Sequence, residues 1–381
     1  MSRCRFEFLT NCLRFDDRDT REERRATDRL APIREVFDQI VKKCDKYYAP
    51  TDCSTIDERL SAFRGRCVFK MYGYVSKPDK YGIKILMNCD SKTAYMLKAI
   101  VYVGQTPSPQ NMSVPEYYVM ELSEPLYGSH RNITMDNWFT SIPLAKNLIG
   151  KELTMVGTTR KNKGEIPESF LVLTNREKNT AMFAYDGPLT LLSYCPPKST
   201  KKKVIIMLST LHDSPDNNEV ELPEIIHFYN KTKGGVDVFD AMAKKYSVQR
   251  RTKRWPMCIF YGLLNGVGIN SWVLYKCSKA NNKPDIRLRR SFLKELGMNL
   301  MDEHLKMRLQ TPTLKRDIKE SIAAILKQPM PVDSSGSERH AQGRCGFCPR
   351  NRDRKSKTRC TKCKIPICLE HQVKVCQKCS N

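Results

Sequence analysis

Acid is what this sequence is short of: 41 Asp and Glu stand against 66 Lys and Arg, a net charge of +25 with a pI near 9.5. A deficit of that size asks for a polyanionic partner, and nucleic acid fits because a positive field supplies affinity through counterion release. Membrane attachment has less support. There is no myristoylation or prenylation signal, and no signal peptide, since Arg3 and Arg5 are followed by no long apolar run. One stretch, Met257 to Tyr275, carries no charge over 19 residues, yet it holds Asn265, Asn270, Ser271 and three glycines, which reads as a buried core helix rather than a membrane span. Paired cysteines of the secreted kind are also missing from most of the chain. Nine of the sixteen are scattered singly from Cys4 to Cys277, which suggests a reducing compartment.

What is present is a succession of patterns. From Met1 to about Tyr48 the spacing predicts helices, with Phe6, Phe8, Leu9 and Leu13 on one face and Leu30, Ile33, Val36, Phe37, Ile40 and Val41 on another. The charged run DDRDTREERRATDR between them reads as a solvated face. The period then changes. Ser54-Thr-Ile-Asp57 ends a short extended piece, and Arg66 to Tyr74, Tyr81 to Cys89 and Tyr95 to Val103 are strand candidates, separated by turn signals at Lys77-Pro-Asp79 and Gly104 to Pro109. Glu116 to Leu122 reads as a short helix.

Asn132 to Ser141, NITMDNWFTS, is a strand that delivers Asp136 to the point where a helix begins, with Ser141 as its N-cap, an early proline, and Leu144 and Leu148 as its apolar face. Three strands, a helix, the Asp136 strand and another helix make the order of a ribonuclease-H-like α/β sheet, with Asp57 on its opening strand and Asp136 on its fourth. An acid near a helix start also suits the macrodipole without any chemistry, so company decides. Leu153 to Tyr229 predicts an inserted, largely β segment: LTMVGTTR, MFAYDGPLTLLSYCP and KKKVIIMLST as strands, with loops at Asn175 to Thr180 and Asp213 to Glu219. Gly234-Gly235 then breaks the chain and Val236 begins a helix through Ala243. Asp237 and Asp240 fall on one face of it, where two carboxylates can reach one cation or simply face water.

The run Lys244 to Pro256 carries six basic residues and no acid: Lys244, Lys245, Arg250, Arg251, Lys253 and Arg254. Beside a metal site such a run reads as phosphate contact. Trp138 and Trp255 are candidates to stack on an unpaired base, with core packing as the alternative, and Trp272 reads as core. Gln328 to Gly343 is a linker by composition. Beyond it Cys345-x2-Cys348, Cys360-x2-Cys363, Cys368-x2-His371 and Cys376-x2-Cys379 give eight ligands in four pairs, enough for two tetrahedral zinc sites in an interleaved, cross-brace order. A histidine in sixth place differs from the RING and PHD orders. The basic stretch Arg350 to Lys364 suits DNA ends or nuclear import.

These motifs together resemble the piggyBac-type DNA transposases. The resemblance is carried by TIDERLSAFRGRC, KPDKYGIKILMNCD, RNITMDNWFTSIPLAKNL, VGTTRKNKGEIP, YNKTKGGVDVFDAM, RRTKRWPMCIFYGLLN and the terminal cysteine array. It implies that Asp57, Asp136 and Asp237 are the catalytic acids and Asp240 an accessory one, with Asp90 outside the set. It implies two Mg²⁺ ions bridged by Asp136, with Asp57 on one and Asp237, supported by Asp240, on the other. It implies hydrolytic nicking of double-stranded DNA at element ends, integration at TTAA, a homodimer and nuclear residence. The implied architecture is a helical dimerisation and DNA-binding domain in two parts (1–52 and 247–326), a ribonuclease-H-like core in two parts (53–162 and 224–246), an insertion (163–223), a linker (327–343) and a zinc domain (344–381). The chain departs from the family in starting within the helical domain, without an acidic leader, and in its glycine-poor Lys98 to Glu116 stretch. Two other readings follow from the same residues: a domesticated, transposase-derived DNA-binding or chromatin protein without catalysis, and a zinc-finger ubiquitin ligase, which the cysteine order disfavours.

Overall fold

Strand β1 (Cys53–Ala62) is the inner strand of a mixed sheet; its residues Ser54, Thr55 and Ile56 are fully buried. It is longer than the short piece that the sequence suggests, so Asp57 lies mid-strand. On one side β1 pairs antiparallel with β3 (Tyr81–Asp90), whose outer edge carries β2 (Lys70–Tyr72) and β4 (Met96–Val101). On the other side β1 runs parallel to β5 (Asn132–Met135), and β5 runs parallel to β6 (Thr154–Thr158). Three antiparallel strands followed by two parallel ones make the ribonuclease-H-like α/β sheet expected. The computed structural model describes residues 1–72, 81–104, 112–172, 174, 176–197, 203–214, 222–278, 288–330 and 342–373. The Lys77-Pro-Asp79 turn, most of Gly104 to Pro109, most of the Asp213 to Glu219 loop and most of the linker lie outside them.

The β-rich segment does not stand apart from this sheet. Strand β7 (Thr180–Asp186) and β8 (Leu189–Cys195) form a hairpin, and β9 (Ile205–Ser209) pairs with both β8 and β6, giving the order β2-β3-β1-β5-β6-β9-β8-β7. The sequence pattern predicts a single strand over MFAYDGPLTLLSYCP, where the structure has this hairpin. Its turn is Gly187-Pro188, with Gly187 at φ +55°, the conformation glycine adopts at the first position of a two-residue turn.

Helices cover the sheet where apolar stripes allow. The N-terminal region holds α1 (Arg3–Cys12), α2 (Arg21–Thr27) and α3 (Arg34–Lys46), the last burying Phe37, Val41 and Cys44. The charged run between α1 and α3 is folded rather than merely solvated: Asp16, its side chain 6% exposed, holds both Arg21 and Arg24, and Asp28 holds Arg34 at 2.8 Å. Further on come α4 (Val114–Ser123), α5 (Ile142–Ile149), α6 (Glu224–Thr232) and α7 (Gly235–Lys245).

The charge-free stretch forms α8 (Trp255–Cys277), long and apolar enough to cross a bilayer by length and composition, with 56% of its most apolar window buried. Its asparagines explain why it belongs to the core. Asn270 accepts from the Met96 N–H and donates to the Met96 carbonyl, both at 2.9 Å, so it ties α8 to the start of β4. Asn265 accepts from the Val248 N–H at 3.0 Å and donates to Ser247. Trp272 lies half-buried against the core, as expected.

By backbone contacts the chain forms two units, Met1–Glu295 and Leu296–Asn381, and α9 (Arg289–Leu309) spans the boundary in sequence. The second unit holds α10 (Arg316–Leu326), which packs Ile322 and Ala323 on Leu309, and a small two-stranded piece, β10 (Gly343–Arg344) with β11 (Lys355–Ser356).

Candidate active site and metal centre

Register brings the first two acids together. Ile56 of β1 pairs with Met135 of β5 in parallel, so the residues that follow, Asp57 and Asp136, stand side by side at the carboxyl end of the pair. Strand β5 is buried at all four positions, and Thr134, polar and between two apolar residues, is satisfied by Thr232 of α6 at 2.7 Å. Asp136 does not start a helix directly. It opens a turn in which the Trp138 N–H donates to its carboxylate at 2.9 Å and Thr140 donates to its carbonyl, and α5 follows with Ser141 capping Leu144. Gly157 makes room for this turn, because a Cβ there would lie 2.2 Å from Thr140 Oγ1.

The third acid arrives on α7. Thr55, two residues before Asp57 on β1, donates to the Thr232 carbonyl at 2.6 Å and accepts from the Gly235 N–H, so it fixes the junction of α6 and α7. A Cβ at Gly235 would lie 2.7 Å from Thr55 Oγ1; glycine alone lets α7 start this close to β1. Asp237, in the first turn of α7, then faces the strand ends within the electrostatic reach of Asp57.

Of the three acids, Asp57 feels the other two. Burial first, then the charges of Asp136 and Asp237, push the Asp57 carboxyl up to about 7. Burial also raises Asp136, helped by Glu58 and opposed by Lys84. Lys84 itself bonds Glu58 at 3.0 Å and lies 4.4 Å from the Trp138 ring centroid, so Trp138 is committed to this contact and to Phe139. Trp255 packs edge-on against Phe69. Half-buried Asp57 and Asp136, with the exposed Asp237 close by, offer hard oxygen donors to a divalent cation. Among the described residues, the one set of three or more candidate ligands with all donor atoms within 4.8 Å of one another is elsewhere, in the cysteine region. The acids are therefore not a closed cage around one ion. A groove of about 710 Å³ between α3 and β4 holds none of them.

Asp240 is occupied differently from the expectation of a second-metal ligand. Its Oδ1 takes Arg59 Nε at 2.7 Å and its Oδ2 takes Lys244 Nζ at 2.9 Å. Asp90 is likewise structural: fully buried, it accepts from the backbone and hydroxyl of Thr51 and of Thr93.

The basic run divides. Arg250, Arg251 and Lys253 are exposed on the extended segment 247–254 between α7 and α8, and Lys245 is exposed at the end of α7. Lys244 is in the Asp240 pair. Arg254 donates to the carbonyls of Thr10, Asn11 and Leu13, so it caps the C-terminus of α1.

In the second unit Cys345, Cys348, Cys368 and His371 converge, the first pair with the third as an interleaved order requires. His371 Nδ1 lies 3.7, 3.6 and 3.2 Å from the three sulfurs, and the sulfurs of Cys348 and Cys368 lie 3.6 Å apart. Tetrahedral bonds of ~2.3 Å to sulfur and ~2.0 Å to nitrogen give edges of roughly 3.5–3.8 Å, so the set fits such an ion. Cys360 and Cys363 are close in sequence, and backbone N–H groups of Cys363 and Lys362 lower the Cys360 thiol. Cys376 and Cys379 lie outside the described residues.

Residues 1–272 match the family described as Transposase IS4. Human PiggyBac transposable element-derived protein 3 is 26% identical over 310 residues, 72% of this chain and 48% of that protein. The human chimeric ERCC6-PGBD3 protein matches at the same identity over 27% of its length. The chain thus spans about half the length, or less, of the curated relatives it matches. A piggyBac transposase, solved by cryo-EM as a synaptic complex with hairpin DNA, is 43% identical, covers 100% of this chain and 80% of that one, and superposes with a TM-score of 0.82. The chain belongs to the piggyBac family of transposases.

Within this piggyBac-type transposase, several residues around the acids escaped the sequence reading. Arg59 was detectable, since a position two beyond Asp57 shares its strand face. Thr55 and Thr232 carry no local signal of their roles, because their bonds span 177 residues of sequence. Tyr229 on α6 is another: bonded to Thr158 at the end of β6, it stands within the field of all three acids, and burial raises its hydroxyl.

Proposed function

We propose that this transposase cuts and joins DNA phosphodiesters with divalent metal ions held by Asp57, Asp136 and Asp237. The observation that carries the reading is the Ile56–Met135 register, which sets Asp57 beside Asp136 while the Thr55–Gly235 contact brings Asp237 to them. A pair of Mg²⁺ ions would activate an oxygen nucleophile and stabilise the leaving oxygen. In this reading Asp136 takes the bridging role that the family resemblance implies, with Asp57 on one ion and Asp237 on the other. The open arrangement of the acids is compatible with two ions, whose outer ligands need not approach each other, and an exposed edge suits a polymeric substrate. Arg250, Arg251 and Lys253 offer exposed charge for phosphates beside it.

The finer features follow from the same reading. Excision and integration at TTAA sites is the activity proposed, on double-stranded DNA, in the nucleus. A homodimer is supported by α1, which buries none of its residues and leaves Phe8 57% exposed. The ions of the cysteine region are zinc, two per chain, with Cys360, Cys363, Cys376 and Cys379 as the second set.

The test is strand nicking on a family-type terminal-repeat substrate with Mg²⁺. Asp136→Asn should bind the DNA as wild type does and lose at least about a hundredfold in cleavage, because a metal ligand is removed without altering shape. Equal cleavage by the two proteins would sink the assignment. Retained binding with no cleavage by wild type, in Mg²⁺ or Mn²⁺, would favour the domesticated DNA-binding reading.

A further inference from the structure

Strand β1 and helix α7 meet in two successive rungs. At the first, Asp57 stands within the electrostatic reach of Asp237, and both carry negative charge when ionised. At the second, two residues along β1 and one turn along α7, Arg59 faces Asp240 and the charges are opposite. Arg59 is 8% exposed and lies 5.6 Å from the ring centroid of Phe239, itself fully buried. A buried guanidinium needs its partner, since removing the partner leaves an uncompensated charge in a poorly solvated place. Asp240 has no such freedom to serve another cation: each of its oxygens already meets a protein cation, Arg59 on one and Lys244 on the other. A metal ion placed on that carboxylate would stand within a few ångströms of a guanidinium and an ammonium, and the repulsion would offset most of what the carboxylate contributes.

We propose that Arg59 is a positioning residue which, through Asp240, clamps α7 to β1 so that Asp237 stays opposite Asp57, and that Asp240 is not a metal ligand. The attractive rung holds the repulsive rung closed before any ion arrives. This rests on the reading of Asp57, Asp136 and Asp237 as the ion-binding acids. It departs from the expectation that Asp240 supports the second metal, and it gives Arg59, absent from that expectation, a role.

The experiment measures Mn²⁺ binding to the full chain by calorimetry and thermal melting of the same proteins. Asp237→Asn should weaken Mn²⁺ binding by about tenfold or more, as loss of a ligand does, while Asp240→Asn should stay within about threefold of wild type. Arg59→Met and Asp240→Asn should each lower the melting temperature and slow nicking, and the double variant should be no worse than the worse single one, since both break the same contact. Arg59→Lys, which keeps the charge, should recover part of the nicking lost in Arg59→Met. Should Asp240→Asn fail to fold, the double variant, in which no charge is stranded, supplies the Mn²⁺ measurement. Loss of Mn²⁺ affinity in Asp240→Asn, or in that double variant, equal to the loss in Asp237→Asn would overturn the proposal, as would fully additive melting losses. Unchanged Mn²⁺ binding in both Asp57→Asn and Asp237→Asn would instead overturn the reading of the acids, and the melting cycle would still decide the clamp.

Discussion

Asp57 carries the sharpest conflict in the molecule, a carboxyl half-buried beside two others and raised to about 7. In the unfolded chain the same group ionises near 3.9. Between those values the folded state holds a proton that the unfolded state has released, so stability falls as pH rises from about 4 through 7. Metal-free protein in EDTA should therefore melt at lower temperature at pH 7.5 than at pH 5, and Asp57→Asn, neutral throughout, should lose that part of the slope. Added Mg²⁺ should raise the wild-type melting temperature more at pH 7.5 than at pH 5, because the ion must displace the proton at the lower pH. Identical slopes for wild type and Asp57→Asn would count against the crowded-acid picture. In the proposed clamp, the neighbouring Arg59–Asp240 pair holds the conflict in place from one turn away.

Elements, one level up, convert these residues into a site through close approach. Helix α7 can sit on β1 only because Gly235 has no side chain: a methyl there meets Thr55 Oγ1 at 2.7 Å and the Asp90 carbonyl at 3.2 Å, the first fixed by its bond to Thr232 and the second by the Ala94 N–H. Gly235→Ala should destabilise the protein by ~1–3 kcal/mol and displace Asp237 from Asp57. Gly234→Ala, with nothing within 4 Å of its added methyl, should stay within about 1 kcal/mol of wild type. Chemical denaturation of the two variants beside nicking rates separates them, and equal losses would show that crowding at Gly235 is not what matters. Much of this level was legible in sequence. The strand ending at Met135, the Ser141 cap, the core helix of Asn265 and Asn270, and the helix carrying Asp237 all follow from local pattern. The β7–β8 hairpin carries a turn signal at Asp186-Gly187-Pro188, which the largely apolar run on both sides of it, MFAY and LTLLSYC, obscures. The length of β1 was hidden because Asp57, Glu58 and Arg59 are charged in mid-strand, and the partners of the last two, Lys84 and Asp240, lie on elements that no local window contains.

At the scale of the whole chain, the two units rest on different physics. Met1–Glu295 has an apolar core extending from Leu30 to Val273, whereas the cysteine region, among its described residues, buries little beyond Cys345 and Cys368. Its larger apolar side chains face water: Phe347 is 59% exposed, Leu369 86% and Val373 85%. So few buried side chains cannot offset the entropy of ordering some thirty residues, and ligation must supply the folding free energy. Zinc analysis of purified, reduced protein should give two ions per chain. Cys368→Ser removes a ligand from the observed Cys345–Cys348–His371 set and should release one ion; Cys360→Ser should release the other, and the pair of substitutions should release both. The transposase core draws on none of these ligands. Removal of residues 344–381 should therefore leave its melting transition in place and leave cleavage of a pre-nicked substrate measurable, although binding of DNA ends weakens with the loss of the Arg350 to Lys364 charge. Protein that is fully reduced yet free of zinc and still folded in this region would defeat the ligation argument. Collapse of the core on truncation would defeat the independence of the two units.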